Sequence, residues 1–230
     1  MDVAEVFKTI KDKEMEYVGF NFTDALGKLY ILWVRTRDME DWPKQGIGVS
    51  GWPYFVSHEK SDIILKPDMD TFRVLPWKNS GRNAGILMCD IYYADKPEIL
   101  EEAPRSLLKK AVRKLKKEVG ENANLYCAPE MEFHLIKRTE DGELRLYDEG
   151  SYLSPPPTDL AFGLRGDICH AFEQVGINVY KQHQESLRGK HEIDIEYDKA
   201  VTAADKVQWA KMILRKDHGT RKLQCRSRPV

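Results

Sequence analysis

The chain has 230 residues, of which 42% are hydrophobic and 10% aromatic, enough to bury the core of one large domain or two ordinary ones. Its 36 basic and 37 acidic residues nearly cancel, so the composition favours neither a nucleic-acid surface nor attraction to a membrane surface. We predict a cytoplasmic protein, because no apolar run approaches the roughly 20 residues of a membrane span, the charged N-terminus does not resemble a signal peptide, and the scattered cysteines are typical of reduced thiols.

The first hundred residues predict one sheet domain that follows a short amphipathic helix. Alternating apolar residues over 17–22 and 29–34 predict two strands. The segment between them predicts a hairpin turn, in which Gly27 can adopt a positive φ. Further extended segments are predicted over 62–68, 71–77 and 84–93.

A linker over 97–104 separates this domain from a second region. Helical spacing predicts a helix from Pro104 to the stop at Gly120, and a later one that ends at Gly176. A final helix is predicted with Thr202 as its N-cap and Asp205 completing a variant capping box. Strands are predicted over 124–137, 177–185 and 190–198.

Acidic residues recur within these predicted strands. Glu130 and Glu132 are two residues apart, so their side chains point to the same side of a strand, with Cα atoms roughly 6.5–7 Å apart. Glu185 and Glu192 flank the turn between the last two strands. If these strands pair, the four carboxylates converge, and their repulsion calls for a hard divalent ion such as Mg²⁺ or Mn²⁺.

Other interpretations of the same residues stay open. Ile193 and Ile195 alternate with the acids of the last strand, which favours a solvated face for Glu192 and its neighbours. For Glu130 and Glu132 the two interpretations are evenly balanced. The adjacent histidines are either ligands or partly buried neutral side chains.

Three short motifs resemble those of the glutamine synthetase family. Residues 129–133, Pro-Glu-Met-Glu-Phe, resemble its Pro-Glu-x-Glu-Phe strand. The sequence His-Gln-Glu at 183–185 resembles its His-His-Glu motif, and His-Glu-Ile at 191–193 resembles its Gln-(His/Asn)-Glu-Ile motif. Further similar segments, in the family's order, extend the resemblance from about residue 6 to 213.

The resemblance implies an α+β protein with two parts. A β-grasp domain is expected over 13–98. Part of a glutamine synthetase catalytic domain, with an antiparallel sheet and flanking helices, is expected over 104–230. Enzymes of the family use ATP to phosphorylate the γ-carboxylate of glutamate, and ammonia then displaces the phosphate to give glutamine.

The resemblance also implies site residues and cofactors. Glu132, Glu185 and Glu192 would hold one divalent ion near the substrate. Glu130 would be the first ligand of a second ion that bridges the phosphates of ATP. His183 and the backbone around Tyr197 would lie near the nucleotide.

Several departures from the family pattern predict a truncated chain that is weakly active or inactive by itself. The family's remaining metal ligands and its arginine clamps lie downstream of the motifs present here, and the basic segment from about residue 216 diverges without periodicity. The family's ammonium-binding acid is missing from 48–52, Gly-Val-Ser-Gly-Trp. Gln184 stands for the second His of His-His-Glu, and Tyr180 for an acid near ATP.

These departures leave three other interpretations. In the first, the chain is a non-catalytic regulatory or assembly partner of a full-length homologue. In the second it is a ligase relative that uses another amine, and in the third it is a gene remnant. Glutamate, ammonia and ATP are the small-molecule partners that the resemblance implies, and it is compatible with a homo-oligomer. No nucleic-acid or membrane partner is expected.

Overall fold

A computed structural model describes residues 2–54 and 62–216, together with the backbone of 223–226. The chain divides into two compact units, residues 1–124 and 125–230. The predicted domain limits, 13–98 and 104–230, stay a prediction. In the described parts of the chain, no helix is long and apolar enough to cross a membrane.

The first unit is built around a mixed sheet with the order β2-β1-β6-β4-β3, in which β5 pairs with β6. β1 runs antiparallel to β2 and parallel to β6. Its elements are α1 (Val3–Asp12), β1 (Tyr17–Thr23), β2 (Leu29–Arg35), α2 (Trp42–Gln45), β3 (Ile47–Ser50), β4 (Asp62–Pro67), β5 (Arg73–Val74), β6 (Gly85–Tyr93) and α3 (Pro104–Val119).

The predicted hairpin is confirmed in β1 and β2. Gly27 has a φ of 79°, and the Asp24 carboxylate accepts hydrogen bonds from the amides of Leu26 and Lys28, both at 2.9 Å. Helix α1 begins at a capping box formed by Asp2 and Glu5. Behind the sheet lies one apolar core that includes Val6, Phe20, Ile63, Phe72 and Leu87.

Helix α3 confirms the prediction from Pro104, and Gly120 ends it with a φ of 133°. A cluster of four charged residues holds the helix against β6 and the residue that follows β4. Arg105 contacts Asp68 at 2.7 Å and Asp90 at 2.5 Å, and Lys109 contacts Asp90 at 2.7 Å. These pairs are partly buried and neutralise one another, so the cluster has a structural role.

The second unit is an antiparallel sheet with the order β10-β11-β8-β13, and β9 pairs with β8. Helix α4 contacts both α5 and β10, and contributes the buried side chains of Ile168 and Phe172. The elements are β7 (Tyr126–Cys127), β8 (Glu130–Arg138), β9 (Leu144–Leu146), α4 (Phe162–Gln174), β10 (Val179–Gln184), β11 (Lys190–Ile195), β12 (Asp198–Lys199), α5 (Ala200–Arg215) and β13 (Leu223–Arg226).

Two sequence expectations for the second unit are wrong. Helix α5 begins at Ala200 with Lys199 as N-cap, so Thr202 lies inside the helix. The start is fixed because β12 pairs with β7 and the amide of Ala200 donates to the carbonyl of Leu125 at 2.8 Å. The segment expected to lack periodicity also contains a strand, β13, which pairs with the outer part of β8.

Candidate metal centre

Among the residues that the structure describes, nine polar ones cluster on one side of the second sheet where β8, β10 and β11 pair, and we call this cluster the acidic face. Directly paired residues on neighbouring strands point the same way. The register sets Glu132 opposite Glu192 and Glu192 opposite His183. The acidic face consists of Glu130, Glu132 and His134 on β8, Lys181 and His183 on β10, Glu185 directly after β10, and Lys190, Glu192 and Asp194 on β11.

Glu192 lies at the centre of this face and is only 6% exposed. With His183 and Glu185 it forms a group whose potential ligand atoms all lie within 4.8 Å of one another. With Glu130 and Asp194 it forms a second group that meets the same limit. Two adjacent sets of potential ligands therefore share one buried carboxylate.

The acids around Glu192 disfavour its charged form. Burial and the carboxylates of Asp194 and Glu185 raise the pKa of Glu192 to about 8. The Ser186 amide, which donates to Glu185 Oε1 at 2.6 Å, holds the pKa of Glu185 below its usual range. A cation at this position would replace the proton on Glu192.

Two lysines neutralise acids beside the centre. Lys190 Nζ donates to Glu132 Oε1 at 2.7 Å, and Lys181 Nζ lies 2.6 Å from Asp194 Oδ2. Asp194 Oδ1 is nevertheless buried without a hydrogen-bond partner among the described residues. The neutralisation of the acidic face by its own residues is therefore incomplete.

The structure places all four predicted glutamates on the acidic face. Glu130, Glu185 and Glu192 belong to the two compact groups, whereas Glu132 lies beside them with its ion pair to Lys190. The interpretation of Glu192 and Asp194 as a solvated strand face is wrong, because both side chains are buried, at 6% and 7% exposure.

Of the two residues predicted near the nucleotide, His183 belongs to one of the compact groups and Tyr197 belongs to neither. His183 Nε2 is 3.7 Å from Glu192 Oε1, and its ring packs edge-on against Tyr152 with centroids 5.6 Å apart. Tyr197 is 72% exposed and packs against the ring of Tyr126. Tyr180 is exposed too. The nucleotide roles of His183 and Tyr197 stay predictions.

The opposite side of the sheet, which we call the reverse face, carries a second cluster of charges. His191 and Gln184 are paired across β11 and β10 and point to this side. Arg165 from α4 is 1% exposed, and its Nη1 lies 2.9 Å from Asp159 Oδ1 and 3.0 Å from His191 Nδ1. Gln184 Nε2 donates to Asp148 Oδ1 at 2.6 Å. The substitution at Gln184 therefore leaves the acidic face unchanged.

His191 is a buried neutral histidine rather than a ligand on the acidic face. Burial and the guanidinium of Arg165 lower the pKa of His191 to about 4. Because a guanidinium only donates, Nδ1 of His191 accepts and its proton resides on Nε2. Asp148, Asp159 and His191 also bring ligand atoms within 4.8 Å of one another, but Arg165 already supplies a positive charge to this group.

The chemistry of the acidic face fits a hard divalent ion. Its donors are carboxylate oxygens and one imidazole nitrogen, a set that suits Mg²⁺ or Mn²⁺. The incompletely partnered Asp194 and the raised pKa of Glu192 are what such an ion would relieve. Asp194 was not predicted as part of this site, although it follows Glu192 at the same two-residue spacing that separates Glu130 from Glu132.

Comparison with known proteins gives consistent matches in both units. The profile of the β-grasp domain of glutamine synthetase matches residues 14–94, and that of its catalytic domain matches residues 101–221. A glutamine synthetase from Methanocaldococcus jannaschii is 33% identical over 95% of this chain and 51% of its own length. One from Staphylococcus epidermidis is 34% identical over 92% of this chain and 48% of its own.

Solved structures agree with these sequence matches. A structure described as apo GmaS without ligand superposes with a TM-score of 0.81 at 25% identity, covering 98% of this chain and 52% of its own. The Plasmodium falciparum glutamine synthetase superposes with a TM-score of 0.77 at 23% identity, covering 94% and 48%, which shows likeness of fold. The chain spans about half the length of the curated relatives it matches.

Proposed function

The chain belongs to the glutamine synthetase family, and we propose that it contributes the divalent-cation site of an ATP-dependent carboxylate–amine ligase. The observation that carries this proposal is that the buried Glu192 belongs to two groups of potential ligands, and that burial and the neighbouring carboxylates raise its pKa. Such a pocket costs stability unless a cation neutralises it. Family membership supplies the reaction class, and the acidic face supplies the ligands.

In this proposal Glu132, Glu185 and Glu192 hold one divalent ion and Glu130 begins the shell of a second. Asp194 adds a carboxylate beside Glu130. When bound, Mg²⁺ or Mn²⁺ neutralises charge on a phosphoryl group as it moves from ATP to a carboxylate. The protein's own contribution is to hold the carboxylates on three paired strands, where little reorganisation is needed.

Isothermal titration of the 230-residue chain with Mn²⁺ tests this proposal. We expect saturable binding that weakens at least tenfold in a Glu132→Ala, Glu192→Ala double variant. Asp148→Asn on the reverse face is the matched control and leaves the affinity within about threefold, because that carboxylate points away from the site. Unchanged binding in the double variant would reject the proposed site.

Activity of the chain by itself is proposed to be weak or absent. Lys181 on the acidic face is paired with the carboxylate of Asp194, so it is not available to stabilise charge on a transferring phosphoryl group. A γ-glutamyl transfer assay on the purified chain measures this directly. Robust turnover would contradict it.

The amine is a separate question. Residues 48–52 carry no acid, so a nucleophile other than ammonia is compatible with the proposed ligase chemistry. The proposal also includes glutamate and ATP as small-molecule partners. It further includes assembly of the chain with copies of itself or with a full-length homologue. Co-purification with a full-length homologue from the same cell tests the assembly, and a lone monomer would count against it.

A further inference from the structure

Lys190 stands where the family motif Gln-(His/Asn)-Glu-Ile has glutamine. It is paired with His134 across β11 and β8, and the neighbouring pair along the same strands is Glu192 with Glu132. From this position its ammonium reaches along the face to Glu132 Oε1 at 2.7 Å. A positively charged side chain thus contacts one of the proposed metal ligands.

Burial distinguishes this ion pair from an ordinary surface contact. The side chain of Lys190 is 18% exposed and that of Glu132 is 35% exposed. By contrast, the side chain of Lys181, which pairs with Asp194, is 50% exposed. Solvent screens the charge of Lys181 more strongly, so Lys190 has the larger influence on a cation in the site.

We propose that Lys190 is a tethered counter-cation that competes with the divalent ion for Glu132. The inference rests on the proposed function, in which Glu132 is a metal ligand. The ammonium lies 2.7 Å from Glu132 Oε1, and the metal requires the same carboxylate. Two positive charges on one carboxylate repel each other. Metal binding therefore displaces the ammonium from Glu132, and the affinity for divalent ions is lower than the carboxylates alone would give.

The competition has a functional consequence. Without a divalent ion, Lys190 keeps the charge of Glu132 compensated and limits repulsion between Glu132 and the acids around Glu192. With an ion bound, the released ammonium is a positive charge at the edge of the site. Lys190 thus sets a threshold of metal concentration for loading the site.

Titration with Mn²⁺ of matched Lys190 variants tests this inference. In Lys190→Gln, which restores the family residue, we expect Mn²⁺ to bind about tenfold more tightly. Lys190→Arg keeps the charge and should stay within about threefold of the unaltered chain. Lys114→Gln makes the same charge change on an exposed position of α3 and should have no effect.

A gain in affinity separates competition from damage to the fold, since a distorted site binds the ion more weakly. Unchanged or weaker Mn²⁺ binding in a folded Lys190→Gln variant would overturn the inference. If Lys190→Gln gives that negative result while Mn²⁺ binding still weakens in the Glu132→Ala, Glu192→Ala variant, the proposed function stands and only the role of Lys190 fails. If that double variant binds normally, the site itself is wrong.

A second measurement uses the unaltered chain and depends on no variant. Acetylation of lysine amines by an activated ester, followed by mass spectrometry of peptides, reports how free each ammonium is. We expect Lys190 to react faster when Mn²⁺ is saturating, whereas Lys114 keeps its rate. Equal rates for Lys190 with and without Mn²⁺ would contradict displacement of its ammonium.

Discussion

The acidic face and the reverse face of the second sheet carry similar residues, but their clustered carboxylates are neutralised differently. Each brings at least three carboxylates or histidines within 4.8 Å. On the reverse face Arg165 is buried among them and bonds Asp159 with two nitrogens, at 2.9 and 2.5 Å. On the acidic face the lysines bond the outer acids, and Glu192 at the centre is left with other carboxylates.

The difference shows that clustered acids identify a metal centre only when the protein supplies no cation of its own at the centre. Both clusters offer enough ligand atoms, so counting ligands does not distinguish them. The location of the positive charge does. A buried bidentate arginine makes the reverse face a structural device, whereas an uncompensated buried glutamate leaves a place for an ion.

The largest expected effect on stability comes from removing the buried guanidinium of Arg165 from the reverse face. Arg165→Met leaves Asp159 buried without its partner, so we expect a loss of about 3–5 kcal/mol of unfolding free energy, measured by urea titration. The double variant Arg165→Met, Asp159→Asn removes the stranded charge and should recover part of the loss. A loss below about 1 kcal/mol in the single variant would show that this pair is not structural.

The pH dependence of stability sharpens the acidic side of the comparison. Folding raises the pKa of Glu192 from 4.5 to about 8, so the folded chain keeps a proton that the unfolded chain releases. This contribution is complete below pH 4.5 and is lost as the pH rises through about 8. Without divalent ions, Glu192→Gln should lessen the fall in stability between pH 5 and 8 by about 1–2 kcal/mol.

Saturating Mn²⁺ should reduce the fall in stability of the unaltered chain between pH 5 and 8, because the ion replaces the proton on Glu192. Thermal unfolding across this pH range, with and without EDTA, measures both effects. A parallel pH dependence in Glu192→Gln and the unaltered chain would mean that Glu192 is not the group that titrates.

The reverse face should respond to pH in the opposite direction and with a smaller amplitude. Folding lowers the pKa of His191 from 6.5 to about 4, so its contribution is present above pH 6.5 and is lost as the pH falls through 4. His191→Asn retains an acceptor for Arg165 and should lessen the acid-side loss by about 1 kcal/mol. Urea titrations at pH 7 and pH 4.5 test this. An unaltered acid limb in that variant would contradict it.

The sequence predicted most of the fold and the acids of the site because both depend on local periodicity. Glu130 and Glu132 share a face by simple alternation, and the helix at Pro104 follows from its spacing. It could not predict that Arg165 lies beneath β11, because that contact joins residues 26 positions apart and is set by tertiary packing. It also could not decide between a solvated and a buried strand for Glu192, since alternation alone does not say what covers a face.

The most direct test is the position of the ion itself. A crystal of the chain soaked with Mn²⁺ gives an anomalous difference peak that locates the metal without reference to activity. We predict a peak on the acidic face, bound by Glu192 together with its neighbouring carboxylates. A peak among Asp148, Asp159 and His191, or no peak on the acidic face at saturating Mn²⁺, would contradict the assignment of the two faces.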